Sequence, residues 1–395
     1  MKTLDRPQEF ATKPLDASKY SSARQDWIDN LRTAMILLVV NMHACVTYSY
    51  VGSWYYNAPP EPSIPAKIPF LEWQAHLQAF FMGLLFFIGG YYADRSLTRR
   101  GTKAFLGERV RRLGLPALLY MVAIHPFIVM ILHPGYPASQ TPGKDYLAYL
   151  SSGRFLGSSG PMWFAVALLI FSLLLAMVAR RIPKIDSGPF QLRVKHVVML
   201  GVGIGFASFL VRTIQPLGSS ILNMQLCYFP QYIVVFILGV WASRRDVLAS
   251  LAASPISNKA GLWALILGPI TLIGVVAASL PIPDHGPAKF VGGWNPVAFG
   301  LATWEQLVGV SLGLGCMWLC AARLNLRTRL SAWLADRSFG VYLFHPPILV
   351  GLALLMQPYR TNPYVMTIIL TVVGLVASFA VADLARRIPL LNKIL

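Results

Sequence analysis

Ten apolar stretches, each about twenty residues long, follow one another along the chain with polar connections between them. They lie at roughly 33–52, 72–93, 113–133, 161–180, 196–214, 226–243, 259–280, 304–323, 338–358 and 364–384. A helix of about twenty residues spans the hydrocarbon core of a bilayer, and a spanning backbone must satisfy its own hydrogen bonds. The pattern predicts an all-α, polytopic membrane protein of about ten transmembrane helices. Residues 1–32 read as a polar tail and 33–395 as a single membrane domain, because no long polar block interrupts the spans. No internal repeat is visible.

The first span breaks the apolar rule along one line. Asp29 and Arg32 open it, and His43 sits eleven positions beyond Arg32. At about 100° per residue those two positions return to nearly the same face, roughly 16 Å apart along the axis. Thr47 and Tyr50 extend the stripe. A polar seam inside lipid is costly and marks a candidate site, whereas the structural alternative is a packing hydrogen bond between helices. An imidazole exchanges a proton near neutral pH, so His43 is the candidate general base.

Composition supports the membrane reading: 55% of the 395 residues are apolar and only 13% are charged. Soluble domains carry about a quarter charged residues. The formal net charge of +18 would suit nucleic acid, but its placement removes that need. Of 34 Lys and Arg, 28 fall in the tail and in the connections near 93–112, 180–195, 244–259 and 323–337 and at the C-terminus. These are alternate connections, as the positive-inside rule requires of a protein in the cytoplasmic (inner) membrane with both termini cytoplasmic. The partner so defined is the lipid bilayer, with no nucleic acid. Cys45, Cys227, Cys316 and Cys320 lie in or beside spans without metal-ligand spacing, and read as core packing with no metal site. The first 26 residues show no apolar stretch of the kind a cleavable signal carries, so the first span is expected to direct insertion.

Further polar constellations interrupt other spans. Arg109 and Arg112, three apart at the charged mouth of the third span, are expected to share a helix face and to suit phosphate; fixing orientation is the plainer role. Ser338, Tyr342 and His345 are spaced by four and three on the ninth span, ahead of Pro346 and Pro347. They form a polar face on a helix that the prolines are expected to kink. Gly89-Gly90 on the second span allows close approach of a neighbour. Trp163 opens the fourth span from the outer side, and Glu72, Glu305 and Arg212 lie near outer span ends. They are candidates to face an acceptor or to reach water by snorkelling. Trp54, Tyr55, Tyr56, Trp73, Tyr146, Trp294 and Trp304 gather in or beside the outer loops, as an interfacial belt or a sugar-binding surface.

Taken together, Asp29-x-Leu31-Arg32 with His43, Phe86-Phe87-x-x-Gly90-Tyr91, Arg109-x-x-Arg112-Leu113-x-x-Pro116, Gly160-x-x-Trp163 and Ser338-x-x-x-Tyr342-x-x-His345-x-Pro347 resemble the acyltransferase 3 family of integral membrane acyltransferases. The chain is most similar to the branch of glucan biosynthesis protein C, whose members are periplasmic glucan succinyltransferases. The resemblance implies an enzyme that takes an acyl group, acetyl or succinyl, from cytoplasmic acyl-CoA. That group passes to a hydroxyl of a glycan or other acceptor at the outer face. It implies no bound cofactor, acyl-CoA being a co-substrate. His43 is then the catalytic histidine, and Arg109 and Arg112, with Arg32, bind the donor. Asp29, Ser338, Tyr342 and His345 form a supporting polar face. Members of the family usually carry Ser where this chain has Gly89. The competing class is a proton-coupled transporter or flippase, which would also use buried histidines, although no paired broken spans point to it. The acyl group, the acceptor and the oligomeric state stay open.

Overall fold

α-Helices account for all ten apolar stretches. The computed structural model describes residues 26–132, 146–179, 181, 190–281, 286, 288–359 and 361–395. Residues 1–25 of the predicted tail, residue 133 at the end of the third predicted span and 134–145 of the connection after it lie outside that description. Among the described residues, ten helices are long and apolar enough to cross a membrane, beginning with α1 Asp26–Ser49, α2 Ile64–Arg100, α3 Thr102–Leu132, α4 Gly160–Val178 and α5 Val194–Arg212. They continue with α6 Leu226–Arg245, α7 Pro255–Ser279, α8 Pro296–Arg323, α9 Arg329–Leu355 and α10 Pro363–Arg386.

Several helices run past the apolar window that announced them, because hydropathy reads depth in lipid rather than the end of a helix. α2 continues through Asp94, Arg95, Arg99 and Arg100 until Gly101, whose amide bonds the Leu97 carbonyl at 3.0 Å. α9 begins nine residues before the predicted boundary, where the Thr328 hydroxyl accepts the Ser331 amide at 3.0 Å. Capping sets these ends.

α2 is the axis of the bundle. In its most apolar window 72% of residues are buried, against 22% for the peripheral α7. It packs on α6, α8 and α1, and α1 in turn lies against α9 and α10. Phe86, fully buried, anchors the centre with Tyr232 stacked at 4.7 Å and Phe164 edge-on at 4.7 Å. Two glycines permit the α2–α6 contact. A Cβ on Gly90 would lie 2.1 Å from the Phe236 carbonyl oxygen, and one on Gly239 2.1 Å from that of Phe87. The predicted close approach at Gly90 is therefore real, and nothing larger fits. Exposed apolar side chains follow a helical stripe on α7 (Leu262, Ile266, Ile270, Ile273) and on α10 (Ile368, Val372, Val376), as a lipid-facing surface requires.

α3 departs from regular helix twice. The amide of Leu115 bonds Val110 and that of His125 bonds Tyr120, each five residues back, so Val110–Gly114 and Tyr120–Ile124 are π-turns. Each ends just ahead of a proline, Pro116 and Pro126, which supplies no amide of its own. The carbonyls freed by Pro126 are filled from outside the helix. Tyr146 donates to Val122 at 2.6 Å and Tyr149 to Met121 at 2.7 Å.

Candidate active site

Pro346 and Pro347 remove two amides from the middle of α9 and so leave the Tyr342 and Leu343 carbonyls without their helical donors. His345 uses the first of these. Its Nδ1 lies 2.9 Å from the Tyr342 carbonyl and 3.3 Å from that of Val341. Carbonyl oxygens only accept, so Nδ1 of His345 carries the proton. Its Nε2 faces Nδ1 of His43 on α1 at 3.0 Å. With both rings neutral, the state least costly to bury, His345 Nε2 accepts and His43 Nδ1 donates. The remaining nitrogen, His43 Nε2, is left as a bare lone pair. A proline pair on one helix thus sets the tautomer of a histidine on another.

Thr47, on the predicted stripe, turns its hydroxyl back to the His43 carbonyl at 2.9 Å, so it serves its own helix. Tyr50 lies beyond the helix end at φ +60° and approaches Asn57. The neighbours of the histidine pair come instead from the following loop. Trp54 stacks on His43 with ring centroids 3.9 Å apart. Tyr55 joins Tyr120 and His125 of α3, each at 2.9 Å. Burial pushes the Tyr55 hydroxyl above the usual phenol range, so it stays protonated. Gly160, at φ +46°, lets the chain pass this cluster, since a Cβ there would sit 2.6 Å from both the Tyr55 and Tyr120 hydroxyls. Sequence reading had not singled out Tyr120 or His125. The signal was present in His125-Pro126, which repeats the His345-Pro346 pairing.

A cavity of about 1550 Å³ opens at the end of the bundle that holds Arg32 and Leu395, and its lining stops short of both histidines, reaching Ile36 on α1 and Tyr342 on α9. It exceeds the roughly 300–1,000 Å³ of a drug-sized pocket. Among the described residues, eight arginines and five acidic side chains line it, giving a cationic mouth. Arg32, Arg109 and Arg112 are all among them, and Ile36, Phe164, Ser338 and Tyr342 line it too. Tyr342 lies one turn before His345 on α9, and its hydroxyl donates to the Pro161 carbonyl, tying α9 to the start of α4. Gly89, where a serine would be polar, lies on the wall.

The predicted donor group is brought together, though not on a plain α-helical face. Arg109 and Arg112 flank and enter the first π-turn, yet both reach the cavity. Arg109 lies over the Phe105 ring at 5.0 Å, and its Nε is buried without a hydrogen bond. Arg112 pairs loosely with Glu108 at 3.5 Å, and Arg32 with Asp29 at 3.6 Å. Arg95, Arg99, Arg100, Arg244 and Arg386 join them in the wall, so that five helices contribute arginines, a convergence that spacing on any one helix does not reveal.

The predicted acceptor-side residues do not converge on the histidines in the same way. Glu305 forms an ion pair at 2.8 Å with Arg212, which is fully buried. Arg212 therefore does not reach water by snorkelling; the α5–α8 packing encloses it because Glu305 neutralises it there. Glu72 lies beside His76 at 3.4 Å on α2. Trp163 packs beside the stacked Phe86–Tyr232 pair, 6.4 Å from the first ring and 5.6 Å from the second. Cys45, Cys227, Cys316 and Cys320 are all free thiols.

A membrane-embedded transferase is the class that this arrangement and the chain's sequence define together. Residues 25–387 match the family described as acyltransferase domain, and the chain belongs to that family. Relatives named glucans biosynthesis protein C include those of Escherichia coli strain SMS-3-5 / SECEC, O81 strain ED1a and O9:H4 strain HS. Each is 24% identical over 384 residues, covering 93% of both chains. No solved structure matches the chain.

Proposed function

We propose that this protein carries an acyl group from acyl-CoA in the cytoplasm to a hydroxyl of a glycan at the outer face of the cytoplasmic membrane, with His43 as general base. The observation that carries the reading is the His43–His345 hydrogen bond just beyond an arginine-lined cavity. The placement of Lys and Arg in alternate connections supports a cytoplasmic basic mouth and cytoplasmic termini. The phosphates of CoA are the anions such a mouth suits, and Arg32, Arg109 and Arg112 are their partners. The slim pantetheine arm then follows the seam past Ile36 and Tyr342 towards His43. The name of the relatives supports a glucan or a related glycan as acceptor.

The transfer needs no group beyond these. The acceptor hydroxyl gives its proton to His43 Nε2 as its oxygen attacks the thioester carbonyl. The tetrahedral intermediate collapses by breaking the carbon–sulfur bond, and the thiolate takes the proton back from the imidazolium. An ester and free CoA result, and His43 returns to its starting tautomer. His345 holds His43 Nδ1–H throughout, and the Tyr342 carbonyl holds His345. Direct attack is preferred to an acyl-imidazole because one base suffices for the whole cycle. The acyl group is short, acetyl or succinyl.

Proteoliposomes of known orientation test the reading, with glycan inside and labelled acyl-CoA outside. Ester-linked label on the enclosed glycan and CoA released outside are expected when the basic end faces the donor. Equal labelling from either side would contradict the direction. Uptake of a solute without ester formation would replace the enzyme by a carrier.

A further inference from the structure

The loop after α1 returns a large aromatic ring to the base. Trp54 lies parallel to His43 at 16° and 3.9 Å, and to His345 at 9° and 6.1 Å. The two imidazoles are hydrogen-bonded almost edge to edge, at 20° with centroids 5.1 Å apart. Trp54 therefore covers the pair as a roof, its face closest to His43. A tryptophan serving only the membrane interface would present this face to lipid headgroups. The indole nitrogen is buried without a hydrogen bond, so ring contacts with His43, His345 and the edge-on Tyr55 at 5.3 Å place it. The backbone holds the loop, with the Ala58 amide on the Thr47 carbonyl at 2.8 Å.

An indole face is negative, and its attraction for a stacked ring grows when that ring becomes a cation. Proton transfer from the acceptor makes His43 an imidazolium while the transition state forms. We propose that Trp54 is a positioning residue of the reaction: its face fixes the plane of His43 and stabilises the imidazolium selectively over the neutral ring. This rests on the assignment of His43 as base under Proposed function. No atom is gained or lost at Trp54, and the proton moves from the hydroxyl to His43 and on to the thiolate as before.

Replacing Trp54 alone with mono-, di- and trifluorotryptophan withdraws charge from the face while preserving shape and packing. Steady-state transfer from labelled acyl-CoA should then show kcat falling stepwise with each fluorine, by about tenfold in all, with the donor KM within roughly twofold. Trp54→Phe should lose about threefold and Trp54→Leu about tenfold. Histidine NMR of the same series reads His43 directly: its titration should move to lower pH with each fluorine, whether or not acyl transfer is observed. The titratable groups around the stack (His345 and Tyr342 on α9, Tyr55 in the loop, Tyr120 and His125 on α3) are the same in every member. A flat kcat or an unmoved His43 titration across the series would overturn the role of Trp54. Absence of transfer by the wild type, with the titration still moving, would instead count against the acyltransferase mechanism.

Discussion

His345 touches no substrate in this mechanism, and it acts through one hydrogen bond to His43. That separates it from a mere packing residue. His345→Gln can still offer an oxygen to His43 Nδ1–H, whereas His345→Ala offers nothing. Initial-rate kinetics should show kcat about 100-fold lower for the alanine variant and partly recovered for glutamine, with donor KM little changed. Equal losses in the two variants would reduce His345 to packing. The arginines work at the opposite limit. Arg109→Ala with Arg112→Ala should raise the donor KM roughly tenfold or more and leave kcat within about threefold, because phosphate contacts are made alike in ground and transition states. An unchanged KM would remove both from donor binding.

Helix α2 carries the tightest packing and makes the sharpest element-scale forecast. Gly90→Ala drives a methyl group into the Phe236 carbonyl, whereas Gly274 on α7 has nothing within 4 Å of a new Cβ. Gly90→Ala should lower the melting temperature, by about 1–3 kcal/mol of stability or more. Gly274→Ala should leave it unchanged or raise it, by up to about 1 kcal/mol, since alanine favours helix. A thermal-unfolding comparison in one detergent decides the sign of each. Elements of this kind were readable from the chain: ten spans follow from local apolar runs, and Gly89-Gly90 announced a close contact. The π-turns of α3 were not readable, because a proline inside a helix can be answered by a kink, a π-turn or a break. Which occurs depends on distant side chains such as Tyr146 and Tyr149 that fill the freed carbonyls.

At the scale of the whole molecule, the cavity is a collective object. Its eight arginines come from several helices, and only three were singled out in the sequence. His43 and His345 stood out because a polar residue in an apolar span is conspicuous on its own. Trp54 resembled every other interfacial aromatic until the fold stacked it on His43. Arg212 and Glu305 looked like span-end charges until the bundle buried them together. Long-range pairing of this sort has no local signature. The collective charge has its own consequence: donor KM should rise severalfold between about 50 and 500 mM salt with kcat nearly constant, as screening weakens the mouth. A salt-independent KM would argue against electrostatic capture of the donor.

In the proposed mechanism the His43 lone pair removes the acceptor proton. The most direct test of that step is kcat for acyl transfer by His43→Ala at saturating labelled acyl-CoA, with donor affinity measured separately on the same protein. A loss of about 100-fold or more in kcat with donor affinity retained is the predicted result. Transfer at the wild-type rate by the folded variant would show that His43 is not the base.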